Sequence, residues 1–240
     1  MNIFISGTEA RVGKTFIASG LASLMQSLGY KSGVFKPVQC GANDKNGFLI
    51  APDLAFVKRT DAFVDTACSY LLRTGGLPVL ALEKENVKFE INKVLKDYAI
   101  LKENCELVIT EDSNGISTPL NSKFSMSDIA KNLKLPVVFV AVPDENTVND
   151  TLLAVNYAKE QGLEVRGVII NKYPQGTDNI AIRTVPRLIE EYSDTKVLGI
   201  IRNIPDFRTL TPGVIIDIIL NSADIEKIFG IKIPKLNSEV

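Results

Sequence analysis

The chain has 240 residues, 45% of them hydrophobic and 23% charged, with a net charge of −1. It is long enough to bury a full core, carries no bulk basic surface that would argue for nucleic acid, and has no apolar run near the ~18 residues that cross a membrane. It contains no histidine, which excludes Ser-His-Asp and Cys-His catalysis and any histidine metal ligand. Lysines, carboxylates, hydroxyls and backbone amides must carry its chemistry, a set suited to phosphoryl transfer.

Ile3 to Ile5 reads as a first strand, and starting directly in a strand gives no reason to expect a signal peptide. Gly7 opens a polar loop, and Gly13-Lys14-Thr15 closes it. Ile17, Leu21, Leu24 and Leu28 follow at helical spacing. Strand, glycine loop, Gly-Lys-Thr and helix form the phosphate-loop arrangement. Residues Thr8, Glu9, Ala10, Arg11, Val12, Gly13, Lys14, Thr15 and Phe16 are therefore expected to wrap an anion with successive N–H groups at a helix N-terminus. Lys14 can reach the β- and γ-phosphates, and Thr15 can offer its hydroxyl to Mg²⁺. The loop is a variant. The common pattern has glycine six residues before the lysine, where this chain has Thr8, and position 9 is Glu9 rather than the second lysine of partition-type ATPases.

Gly29 ends the helix, and Lys31 to Phe35 reads as a second strand, followed by Lys36-Pro37-Val38-Gln39-Cys40-Gly41. Asn43 to Gly47 is turn-like. Pro52-Asp53 starts a helix with Leu54, Phe56 and Val57 on its apolar side. Residues 61–86 are less regular, with a break at Thr74-Gly75-Gly76-Leu77-Pro78. Phe89 to Leu101 is amphipathic. Leu107 to Thr110 is a buried strand ending in Glu111-Asp112-Ser113-Asn114-Gly115, with a turn at Thr118-Pro119-Leu120. A short helix over 127–133, a strand over 136–142, a helix over 146–161, a strand over 165–171, a helix over 179–192 and a strand over 197–201 follow. Two terminal helices, over 211–220 and 223–229, complete the chain. Near-continuously apolar strands alternating with helices predict one α/β domain over 1–240, a mostly parallel sheet with helices on both faces. Cys40, Cys68 and Cys105 form no zinc or CxxC pattern, which suits a reduced, cytoplasmic protein.

In such sheets ligands gather at the carboxyl ends of the strands. Those ends carry Lys14 and Thr15, then Lys36 and the nearby Asp53, then Glu111. Mg²⁺ takes one or two carboxylates beside phosphate oxygens and water, and Thr15, Asp53 and Glu111 would make such a set. Taken singly, Asp53 also reads as a first-turn helix acid and Glu111 as a solvated loop acid; together, in this order, they point to a metal. Lys36, before the rigid Pro37, reads either as a strand-end surface lysine or as a charge clamp on a transferring phosphoryl group.

With these residues in view, the chain resembles the dethiobiotin synthetase family. The resemblance rests on Gly7-Thr8-Glu9-Ala10-Arg11-Val12-Gly13-Lys14-Thr15, on Lys36-Pro37-Val38-Gln39-Cys40-Gly41, on Pro52-Asp53-Leu54, and on Glu111 followed by Thr118-Pro119-Leu120. Asn149, Asn171 and Ile204-Pro205 fit as well, so that it covers residues 1 to about 207. It implies an ATP- and Mg²⁺-dependent ligase of biotin synthesis, a homodimer, forming a cyclic urea from 7,8-diaminononanoate and CO₂ through a carbamate that ATP phosphorylates. It further implies that Lys14 and Lys36 hold phosphate and carbamate charge, that Thr15, Asp53 and Glu111 hold Mg²⁺, and that Asn171 and the Pro205 region frame the adenine. The substrate would lie near Cys40 and Asp112, Ser113, Asn114 and Gly115.

The chain departs from the family where Arg11 replaces Glu and Cys40 replaces Ser. Asp112-Ser113-Asn114-Gly115 replaces Gly-Ala-Gly-Gly. Residues 142–150 do not keep Gly-x-x-Gly-x-Ile-Asn-His, and no Pro-x-Ser-Pro-His segment stands near Leu77-Pro78. A second reading, of a different class, is an ATP-dependent switch or regulatory module related to the nucleotide domains of phosphotransacetylases and cobyrinate-type synthetases.

Overall fold

A computed structural model describes residues 1–233. Seven parallel strands form its main sheet: β1 (Ile3–Gly7), β2 (Ser32–Cys40), β5 (Asp65–Leu72), β6 (Leu107–Glu111), β7 (Val137–Ala141), β8 (Val165–Tyr173) and β9 (Val197–Arg202). Their spatial order is β5-β2-β6-β1-β7-β8-β9. A small antiparallel hairpin, β3 (Asn43–Lys45) and β4 (Phe48–Ile50), stands apart from it. Its turn is Asn46-Gly47, both at positive φ, as a two-residue hairpin turn of this hand needs.

The strands are apolar on both sides because both sides are covered. In β1, Ile3 and Ile5 enter one core and Phe4 the other. The first core lies under α1 (Lys14–Ser27), α2 (Pro52–Thr60), α8 (Pro212–Ser222) and α9 (Ile225–Phe229). The second lies under α3 (Pro78–Lys84), α4 (Ile91–Asn104), α5 (Met126–Asn132), α6 (Thr147–Glu160) and α7 (Ile180–Ser193). Helix α1 is buried along most of its length. A Cβ on Gly20 would stand 2.4 Å from Ile219 Cγ1, so glycine lets α8 close over α1.

Several expected boundaries differ, three of them for a clear physical reason. The second strand does not stop at Phe35 but continues to Cys40. Pairing with β6 ends at Phe35 while pairing with β5 continues to Cys40, so the missing N–H of Pro37 costs no ladder bond to β6. The irregular stretch 61–86 contains β5 and α3. As the edge strand, β5 has no need of a continuous apolar run, and Pro78 opens α3 as a first-turn proline rather than breaking it. The last helix starts at Ile225, not Ala223, because Ala223 bridges to Gly199 and Asp224 caps the helix by accepting from Lys227 N at 3.0 Å.

Candidate active site

The carboxyl ends of β1, β2, β6, β8 and β9 surround a cavity of about 1090 Å³. Its floor is the β1–α1 turn. Thr8 N donates to Val140 O at 3.0 Å, so Thr8 still belongs to the strand ladder. Lys14 then folds back across the loop and donates to Glu9 O at 3.2 Å and Asn114 O at 3.3 Å. A Cβ on Gly7 would lie 2.7 Å from Glu9 O and 2.8 Å from Lys14 Nζ. The close approach that requires glycine therefore falls at position 7, which explains why Thr8 is tolerated at the usual glycine position. Gly13 is at φ 98°, and a Cβ there would meet Asn171 Nδ2 at 2.2 Å. Asn171 in turn donates to Val12 O at 2.8 Å, tying the end of β8 to the loop.

No side chain caps α1, and its first internal bond runs from Ile17 N to Gly13 O at 3.2 Å. The amides of Lys14, Thr15 and Phe16 precede that bond at the positive end of the helix dipole, a ready anion site.

Above this turn the charged side chains meet. Thr15 Oγ1 donates to Glu111 Oε1 at 2.7 Å, and Lys36 Nζ donates to the same oxygen at 2.9 Å. Lys36 Nζ also lies 2.7 Å from Asp53 Oδ2 and donates to Asp112 O at 2.9 Å. Lys36 is 2% exposed and Glu111 1%. Burial opposes the Lys36 charge, but Glu111 and Asp53 outweigh it and raise its pKa above the ordinary lysine value. Burial raises the Glu111 pKa, and Lys36 pulls against that rise. Glu111 Oε2 is buried without a hydrogen-bond partner among the described residues.

The carboxylates of Asp53 and Glu111 thus face one positive charge, that of Lys36, and the Thr15 hydroxyl joins them through Glu111. An all-oxygen set with one spare buried acceptor fits Mg²⁺. Among the described residues no three His, Cys, Asp or Glu side chains form a metal cage by themselves. That suits an ion which completes its octahedron with phosphate oxygens and water.

The segment after Glu111 divides its work. Asp112 is fully buried; it accepts from Ser6 Oγ and lies 3.5 Å from Lys14 Nζ. Ser113 Oγ donates to Val38 O, while Ser113 and Asn114 line the cavity. A Cβ on Gly115 would stand 3.1 Å from Gly7 O, so Gly115 packs against the phosphate turn. Cys40 lines the cavity too, and burial pushes its thiol up to about 11.

At the other end the wall comprises Asn171, Lys172, Arg202, Ile204 and Phe207. Pro205 is not part of that lining, although its neighbour Ile204 is. Phe207 meets Phe16 at 5.9 Å and Phe56 at 5.7 Å between ring centroids. Lys172 Nζ donates to Arg11 O at 2.8 Å, and both residues hold positive φ. Sequence reasoning missed Lys172, Arg202, Phe56 and Phe207. Only the adjacency of Lys172 to Asn171 could have flagged one of them.

The arrangement can seat a polyphosphate on backbone amides, present a divalent cation to it, and hold two lysines where charge moves during phosphoryl transfer. The family model described as an AAA domain matches residues 1–210. The ATP-dependent dethiobiotin synthetase BioD of Anoxybacillus flavithermus is 32% identical over 206 residues, 85% of this chain and 92% of the relative. That of Methanocaldococcus jannaschii is 31% identical over 209 residues, 85% of this chain and 95% of the relative.

Among solved structures, the MinC:MinD cell division protein complex of Aquifex aeolicus matches with a TM-score of 0.62 at 16% identity, over 97% of each chain. The septum site-determining protein MinD of Pyrococcus horikoshii, complexed with Mg-ADP, matches at 0.53 and 18% identity, over 100% of this chain and 90% of that one. These two show the P-loop α/β fold. The relatives show the family: this chain belongs to the ATP-dependent dethiobiotin synthetases.

Proposed function

We propose that the chain is an ATP- and Mg²⁺-dependent ligase that makes dethiobiotin from 7,8-diaminononanoate and CO₂ in biotin biosynthesis. The observation that carries this reading is the convergence of Thr15, Lys36, Asp53 and Glu111 on one point above the phosphate turn, in a chain whose curated relatives are named dethiobiotin synthetases. One amine adds to CO₂ and loses a proton, giving a carbamate. A carbamate oxygen takes the γ-phosphoryl group, and ADP leaves. The second amine attacks the activated carbonyl carbon, phosphate leaves, and the cyclic urea closes.

In this reading the amides of residues 13–16 and Lys14 hold the phosphates, and Asn171 with the 202–207 segment frames the base. Lys36 holds the carbamate and the moving phosphoryl group. Thr15, Asp53 and Glu111 hold Mg²⁺, which neutralises charge developing on the phosphate oxygens when bound. Cys40, Ser113 and Asn114 face the substrate, and Asp112 and Gly115 support that wall. The whole chain acts as one domain.

It acts as a homodimer. Exposed Phe48 and Leu77, 77% and 43% open, flank the rim, where the Arg73–Asp44 ion pair and the Gly41 N to Thr74 O bond join the loops. Sedimentation at micromolar concentration should give twice the chain mass, and Phe48→Asp should halve it.

Incubation with diaminononanoate, bicarbonate and MgATP should yield dethiobiotin and ADP in equal amounts. ATP turnover that ignores the diamine would instead identify a nucleotide switch.

A further inference from the structure

Strand β2 places a second polar side chain at the cavity besides Lys36. Gln39 lines the cavity and is 5% exposed. Its Nε2 donates to Cys40 O at 3.0 Å, which leaves Oε1 as the free end of the amide. Oε1 is buried and has no hydrogen-bond partner among the described residues.

The sheet puts it there by an irregularity. In a regular strand, residues 36 and 39 point to opposite faces. Here Val34 enters one core, whereas both Phe35 and Val38 enter the other. The alternation therefore slips by one residue around Pro37, and Lys36 and Gln39 reach the same cavity.

A buried acceptor without a donor is unfavourable, and such groups tend to persist where a ligand supplies the donor. Two carboxylate oxygens nearby also lack a hydrogen-bond partner, Glu111 Oε2 and Asp112 Oδ1, but the first belongs to the oxygen set read above as fitting Mg²⁺ and the second lies 3.5 Å from Lys14 Nζ, so Gln39 Oε1 is the neutral acceptor among them. Phosphate and carbamate oxygens bring no donors. The amines of the substrate do.

We infer that Gln39 Oε1 accepts an N–H of the substrate diamine and orients the attacking amine beside Lys36; this rests on the ligase reading above. A neutral acceptor is chemically suited to the task. The amine must be unprotonated to attack a carbonyl carbon. A carboxylate in the same place would stabilise the ammonium form, which has no lone pair to give. The neighbouring Cys40 cannot substitute, since its thiol is a weak hydrogen-bonding group and packs against the Phe35 core.

Two replacements give opposite signatures. Gln39→Met keeps length and burial but removes the acceptor. The KM for the diamine should rise at least ~10-fold, with the Kd for MgATP within about twofold of wild type. Gln39→Glu keeps an acceptor and adds charge. Calorimetry should show diamine binding at least as tight as in wild type, while kcat falls roughly 10-fold because the bound amine stays protonated. A wild-type KM for the diamine in Gln39→Met overturns the inference. If that variant does not fold, wild-type kcat and diamine affinity in Gln39→Glu overturn it. If the wild-type protein forms no dethiobiotin at all, the ligase reading falls, and this inference falls with it.

Discussion

The two ends of the cavity are built by different means. The phosphate end is made of backbone: a left-handed Gly13, uncapped helix amides and a lysine folded over Gly7. The end we assign to the substrate is made of side chains from distant segments, Gln39 and Cys40 on β2 with Ser113 and Asn114 after β6. Backbone geometry is set by a few adjacent residues and tolerates little change. A side-chain wall can be rewritten one residue at a time while the sheet stays intact. This contrast fits where the chain departs from the resemblance: Cys40 and residues 112–114 differ, and at the other end the side chain of Arg11 differs, whereas Gly13-Lys14-Thr15 does not.

The sharpest test of the contrast removes the charge that joins the two ends. Lys36→Ala should lower kcat by roughly 10³-fold while MgATP affinity changes only a few-fold. Single-turnover kinetics beside an ATP titration would separate the two, and a fully active variant would refute the role given to Lys36. Lys14→Ala should act on the other quantity, weakening ATP binding on the order of 100-fold; an unchanged Kd would break the assignment of the phosphate end.

Next in size, Asp53→Asn and Glu111→Gln should each raise the Mg²⁺ concentration needed for half-maximal activity about 10-fold, and Mg²⁺ titration curves that overlay wild type would remove both as ligands. The smallest effect is alkaline. Burial raises the thiols of Cys40, Cys68 and Cys105 to about 11 and the Tyr98 hydroxyl to about 12. A raised folded value favours the neutral form, so this stability is present below the unfolded value near 9 and is lost as pH rises through about 11. Thermal unfolding between pH 8.5 and 11.5 should show Tm falling across that window, less so in Cys68→Ala.

The same contrast explains what could be read from the residues alone. The phosphate turn was legible because its chemistry is local: Gly13, Lys14 and Thr15 lie within three positions. The order Thr15, Asp53, Glu111 was legible because parallel strands bring their carboxyl ends to one edge. Strand β5 was not, because its first five residues, Asp65 to Ser69, show no continuous apolar run. Gln39 was not, because its side depends on the slip around Pro37, which only the pairing of β2 with both neighbours reveals. Phe207 was hidden for a related reason: the path of the chain after β9 brings it against Phe16 of α1, and no spacing encodes that return.

Lys36, seated between Asp53 and Glu111, has a consequence for the order of events. The ammonium group lets two acids face each other there without repulsion. A divalent ion entering alone would exchange one positive partner for another and gain little. Were Mg²⁺ to be held by these acids together with a triphosphate, Lys36 would still have an anion to face, so metal and nucleotide would be expected to bind together.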